Sequence, residues 1–183
     1  MPAIVHAAEK IQNDPQSVLP GVKFIFTERD SNCSSSNGPL AAIDLYRTKR
    51  AHIFFGPACD YAAAPIARYS GRWRIPVVTA GALFQGFTDK KEFPLLTRVQ
   101  GSFHKVRDMF ESVLDHFNWT RIGMLFYEDV NHLGGEKREC LQILRPIYLM
   151  FTKEPPPYYS VKEADFIDWR KHVASLSNNS RSE

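Results

Sequence analysis

Largely uninterrupted apolar runs at 22–26, 51–55, 75–79, 95–99 and 122–127 punctuate this chain, and most of the stretches between them carry apolar residues at helical spacing. Strands that read as continuous apolar runs are buried on both faces, the situation of a parallel sheet covered by helices. Alternation of such strands with helices predicts an α/β fold, an open parallel sheet with helices on both faces. The helical stretches are specific. Over 3–13, Ile4, Val5, Ala8 and Ile11 share one face, and Asp14-Pro15 ends the pattern because the residue before proline leaves the α region. Leu19-Pro20-Gly21 reads as a turn and 31–38 as a polar loop; Pro39 suits the first turn of a helix running over 40–48. A helix over 61–69 is lined by Ala62, Ala63, Ala64 and Ala67, small enough to let its backbone lie close to a sheet. Another over 103–117 carries Phe103, Val106, Phe110, Val113, Leu114 and Phe117, and 136–151 is helical in composition around Pro146.

Beyond residue 152 the pattern weakens. Glu154-Pro155-Pro156-Pro157 reads as a stiff linker. Phe166, Ile167 and Trp169 hint at one more helix, and the polar stretch 175–183 is expected to be a disordered tail. There is no internal repeat.

Several function classes fall away. A formal charge of +3 with scattered basic residues, clustered only at Arg47, Lys49 and Arg50, gives no footprint for nucleic acid. No CxxC or HxxxH pair suggests a zinc site. Ser34, Ser35 and Ser36 form a loop run rather than a nucleophile elbow, and Gly56-Pro57 and Gly134-Gly135 lack a phosphate-loop pattern. No catalytic constellation results, so no enzyme is expected. No apolar run approaches the ~20 residues that span a bilayer, and Met1-Pro2-Ala3 leads straight into an amphipathic segment without a leader pattern. On these grounds alone a soluble cytosolic α/β protein with three reduced cysteines remains open.

The block 55–87, FGPACDYAAAPIARYSGRWRIPVVTAGALFQGF, changes the weighting. With Leu19-Pro20-Gly21, Cys33, Pro39-Leu40-Ala41-Ala42-Ile43-Asp44, Leu96-Thr97-Arg98 and Phe117-Asn118-Trp119-Thr120, it resembles the extracellular ligand-binding domain of the natriuretic peptide receptors, a family that includes receptor guanylate cyclases. The resemblance covers roughly 2–140. It implies a type I periplasmic-binding-like domain of two α/β lobes. On that reading 2–135 is the membrane-distal lobe without its first strand, 136–174 is the truncated start of the second lobe, and membrane attachment lies in a segment downstream. The implied partners are a peptide hormone and a second copy of the receptor, since the family acts as homodimers joined through first-lobe helices near Arg47 and Arg72. A small-molecule-sensing lobe of the same fold is the alternative; it would need a serine- and threonine-rich pocket, and only Thr79 and Ser102 are on hand.

The site residues follow from the resemblance. Cys33 and Cys59 match the family's first-lobe disulfide, a bridge stabilising by about 3–4 kcal/mol in the chain-entropy model. Without the resemblance, two separate thiols are the simpler reading. Cys140 matches a cysteine whose partner lies farther along, so it is expected to be unpaired. Tyr61, Arg68 and Tyr127 match positions that face the hormone. Tyr61 and Arg68, seven residues apart, share a helix face, and an arginine fork suits peptide carbonyls or a carboxylate. Chloride is the one implied cofactor, with Thr27 and the backbone of Ala58 and Cys59 as its partners. Glu128 and Asp129 end a strand and read as surface charge. Asn118 and Asn178 head glycosylation triplets; so does Asn32, where the neighbouring Cys33 argues against use.

Overall fold

A computed structural model describes residues 2–49, 51–128, 139–162 and 168–180. The chain separates into two compact units, Met1–Asp30 and Ser31–Glu183.

In the first unit, helix α1 (Pro2–Asn13) ends where the sequence places its stop. Asp14 accepts the Gln16 amide at 2.9 Å, and a turn from Leu19 to Val22 follows with Gly21 at φ 76°. Proline then glycine at the centre of that turn is the pairing a type II turn needs. Residues 22–26, expected to be a buried strand, carry no regular secondary structure and pair with no strand among the described residues. Phe24 and Phe26 stack at 6.4 Å on one side while Ile25 is 84% exposed. The two-residue alternation is real; what is lacking is a ladder partner, which β propensity cannot supply.

The second unit begins with α2 (Asn37–Asp44), two residues ahead of the expected start. Its opening amides are served by the Ser34 hydroxyl, which accepts from Ser36 and Asn37 at 3.2 and 3.1 Å. After Asp44 the backbone widens into a π turn over Leu45–Lys49, and Thr48 Oγ1 donates to the Asp44 carbonyl. Strand β1 (Phe54–Phe55), helix α3 (Asp60–Trp73), strand β2 (Val77–Thr79), a 3-10 turn (Gln85–Thr88) and strand β3 (Leu96–Arg98) follow. The strands form a parallel sheet in the order β1-β2-β3, with Phe54 opposite Val77 and Val77 opposite Leu96. The α3 expectation holds and extends: Ala62, Ala63 and Ala67 are fully buried, and Gly38 of α2 approaches Ala62 closely. Ala42, Phe54, Ile66, Val77, Phe87, Phe93 and Leu96 complete one core.

Helix α4 (Phe103–Phe117) matches its sequence pattern end to end and packs against α5 (Glu139–Tyr148). Strand β4 (Met124–Glu128) pairs in parallel with β5 (Tyr158–Lys162), Met124 opposite Tyr158. The parallel strands therefore lie in two ladders, and the change of ladder falls between Arg98 and Met124, inside the stretch assigned from sequence to the first lobe. β5 was not legible. It mixes Ser160 and Lys162 with tyrosines directly after three prolines, so it lacks a continuous apolar run. Helix α6 (Trp169–Ser180) corrects the expected disorder over 175–180. Ser175 bonds the Tyr159 hydroxyl at 2.7 Å, and Leu176 lies over Gly123, so a polar sequence is held by a few internal contacts. Residues 166, 167 and 181–183 lie outside the described residues.

Leu96, on β3 opposite Val77 of the central strand, is 2% exposed. Leu96→Ala should lower unfolding stability by about 2–5 kcal/mol, read as a reduced urea midpoint with an unchanged slope.

Candidate functional site at the head of α3

The carboxyl ends of β1 and β2 are laced together. After Phe55 the chain reverses at Gly56 (φ 87°) and a cis Gly56–Pro57 bond, and Cys59 precedes α3 in extended conformation. Across from it, Gly81 passes so close to Ala58 that a Cβ would sit inside the Ala58 carbonyl group. Thr79 Oγ1 donates to the Pro57 carbonyl at 2.6 Å and accepts the Gly81 amide at 2.9 Å. Asp60, 3% exposed, takes the Leu83 amide on Oδ1 at 2.7 Å and the Phe84 amide on Oδ2 at 3.2 Å. An acid in the first turn of a helix is favoured by the helix dipole, and here it also satisfies a neighbouring turn. Arg98, at the end of β3, donates to the Ala82 carbonyl at 3.1 Å. Cys33 and Cys59 form a disulfide with Cα atoms 5.4 Å apart, tying the loop before α2 to the same place.

This edge is where open α/β sheets bind ligands, outside the carboxyl ends of their strands. Tyr61 stands half-exposed on it, its ring edge-on to Phe84 at 5.8 Å, and Phe84 meets Phe103 at 5.9 Å. Two helical turns on, the Arg68 guanidinium is engaged by Glu92, Nε to Oε1 at 2.6 Å, and lies 5.2 Å from the centre of the Phe93 ring. Tyr61 and Arg68 thus share a face, as their spacing predicts, and that face looks onto segment 84–93. The 5.2 Å between Arg68 and the Phe93 ring is within the reach of a cation–π contact. The ion pair itself is about half exposed and adds little stability.

The other sequence-picked residues lie on separate elements of the chain. Tyr127 stands on β4, opposite Val161 of the second ladder and about as exposed as Tyr61. Thr27 is exposed in the first unit, in a segment without regular secondary structure; Ala58 and Cys59 precede α3. Among the described residues, no backbone carbonyl outside the helices and strands takes the Ala58 or Cys59 amide. Cys140 is exposed and unpaired among the described residues. Asn118 closes α4 with φ 54°, and Asn178 lies within α6. Asp129 lies outside the described residues. Sequence reasoning missed Asp60 and Glu92. Asp60 was findable, as an acid at a helix start inside an otherwise apolar block; Glu92 in a charged loop carried no signal.

The sequence profile of the family described as "Receptor family ligand binding region" matches residues 1–139. This chain belongs to that family. The matched region is a ligand-binding one, not a catalytic one. The chain is 28% identical to atrial natriuretic peptide receptor 3 of Homo sapiens, over 98% of this chain and 34% of the relative. It is 31% identical to the Bos taurus receptor 3, over 94% of this chain and 33% of the relative. With atrial natriuretic peptide receptor 2 of Mus musculus it shares 36% identity over 70% of this chain and 12% of the relative. The chain thus spans about a third or less of the length of these curated relatives. A disulfide is stable in an oxidising compartment, which fits a receptor's extracellular ligand-binding region. No described helix is long and apolar enough to cross a membrane.

Two changes test the lacing. Cys33→Ser should lower stability by about 3–4 kcal/mol, the chain-entropy value for this loop, and reduction of the parent protein should reproduce the loss in a thermal melt. Asp60→Ala leaves two part-buried amides without this acceptor and should lower stability by about 1–3 kcal/mol in urea denaturation, whereas Asp60→Asn should retain part of it.

Proposed function

We propose that this chain is part of the extracellular region of a receptor that binds a peptide hormone of the natriuretic type, and that Tyr61, Arg68 and Tyr127 contact the peptide. The observation that carries the reading is the rigid head of α3. A disulfide, a buried carboxylate and a glycine–carbonyl approach hold one turn, and Tyr61 and Arg68 are presented from the helix that starts there. A peptide offers the carbonyls that an arginine fork bonds and the side chains that an aromatic ledge of Tyr61, Phe84 and Phe103 can pack. The names of the relatives, atrial natriuretic peptide receptors 2 and 3, point to the same ligand class.

The reading includes a homodimer formed through first-lobe helices, membrane attachment through a segment downstream, and control of cyclic GMP in the whole receptor. It also includes chloride. The Ala58 and Cys59 amides stand at the head of the fourteen-residue α3, and a helix N-terminus is a setting that holds an anion. The nearby Asp60 carboxylate is turned to the Leu83 and Phe84 amides. The amino-acid-sensor alternative loses support, because the Thr79 hydroxyl is committed to Pro57 and Gly81.

The test is binding of natriuretic peptides to the complete receptor ectodomain, measured by calorimetry in chloride and in gluconate. Saturable binding that weakens when chloride is replaced is expected. Arg68→Ala should reduce affinity about tenfold or more, the scale of a truncated interface arginine, with circular dichroism unchanged. A folded, disulfide-bonded ectodomain that binds no such peptide would sink the reading.

A further inference from the structure

We propose that Arg47, Arg72 and Arg74 form a binding site for a sulfated extracellular polysaccharide, with the exposed rings of Tyr46 and Tyr69 beside them. The inference rests on the extracellular reading above and uses no residue of the peptide site.

In sequence the one basic cluster is Arg47, Lys49 and Arg50, and the other cations read as scattered. The fold changes that. Tyr46, in the π turn that follows α2, lays its ring flat on Trp73 at the end of α3, with centroids 4.5 Å apart and planes within 7°. Tyr69 meets the same indole at 5.7 Å, and the buried Phe54 supports it from β1 at 6.2 Å. The stack joins Arg47, next to Tyr46, to Arg72 and Arg74, on either side of Trp73. Arg72, three residues after Tyr69, shares its helix face.

All three arginines are exposed, and among the described residues none of their guanidinium groups enters an ion pair or hydrogen bond. Countercharge is scarce here. Between Asn37 and Lys49 the one carboxylate is Asp44, and from Tyr61 to Thr88 the chain has none. The α3 dipole favours a cation in the last helical turn, which accounts for Arg72 and leaves Arg47 and Arg74. The patch is also remote from the peptide site. Tyr61 stands in the first turn of α3 and Arg72 in the last, roughly 17 Å apart along the axis.

Charge complementarity selects the occupant. An arginine fork bonds groups that offer paired oxygens: carboxylate, phosphate or sulfate. Three uncompensated forks on one face suit an anion that repeats along a chain. The compartment narrows the class, because anionic phospholipids line the cytoplasmic leaflet, whereas sulfated polysaccharides line the outside of cells. Sugar rings complete the match, since their apolar C–H faces lie on exposed aromatic rings, and Tyr46 and Tyr69 are each 40% exposed. The homodimer contact implied near Arg47 and Arg72 is compatible: arginines meeting their own copies repel, and a polyanion laid across both copies offsets that repulsion.

The probe is a heparin dodecasaccharide, titrated into the complete receptor ectodomain at several sodium chloride concentrations. Binding should weaken as salt rises, the signature of counterion release, and a fully desulfated dodecasaccharide should not bind. The triple variant Arg47→Gln, Arg72→Gln, Arg74→Gln should lose about tenfold or more in affinity, with a salt slope flatter by about one per arginine. A control variant removes equal charge at exposed positions elsewhere: Lys153→Gln, Arg170→Gln, Lys171→Gln. It should bind as the unmodified protein does. Equal losses in both variants, or no loss in the first, overturn the site. Tyr46→Ser should weaken binding at an unchanged slope; full affinity there refutes the role of the rings. Phosphatidylserine vesicles bound in preference to heparin overturn the ligand class. Circular dichroism checks each fold, and natriuretic peptide is titrated into the same proteins. Peptide bound with heparin ignored overturns this site and leaves the receptor reading standing; heparin bound through these arginines with peptide ignored does the reverse.

Discussion

Where Gly81 slides past the Ala58 carbonyl, the turns following β1 and β2 are in backbone contact, and there is no room for even a methyl group. Two chain reversals this close would leave buried polar backbone without partners unless side chains answered it. Thr79 and Asp60 supply the answer, one bridging Pro57 and Gly81, the other capping Leu83 and Phe84. The position of α3, and so of every residue it displays, follows from these contacts. The disulfide adds a covalent tie at the same point, acting mainly on the unfolded chain.

Legibility in the sequence tracked how far each element depends on its own residues. Helix α4 has a strong apolar stripe and a good terminator in Asn118, and its ends were read correctly. The alanine face of α3 was legible because close packing on a sheet demands small side chains there. Segment 22–26 had the composition of a strand but no partner, and β5 had a partner without the composition. Both errors have one cause: strands are defined by neighbours that a local pattern does not contain. The α6 helix over 175–180 failed for the same reason, since its order comes from Tyr159 and Gly123, far away in sequence.

At the site, residue identities were easier to read than their relations. The YAAAP block located Tyr61 and Arg68, and their helical spacing correctly put them on one face. It could not say that Arg68 is matched to Glu92, twenty-four residues on, because two charged residues in separate segments give no pairing signal. Nor could it say that Tyr127 sits on a different ladder from the α3 edge. Family membership of the matched region explains the choice of residues; the ladders and hydrogen bonds explain their placement.

The Arg68–Glu92 pair alters what an arginine on this surface can contribute. An anionic group arriving there meets a cation that is already compensated, so it must exchange with Glu92 rather than add to it. Such a swap of one carboxylate for another is nearly neutral in charge, so salt screens the lost and the gained pair alike. The guanidinium also lies within cation–π reach of Phe93, which a newcomer need not disturb. An arginine so compensated offers less net attraction than its bare charge would suggest.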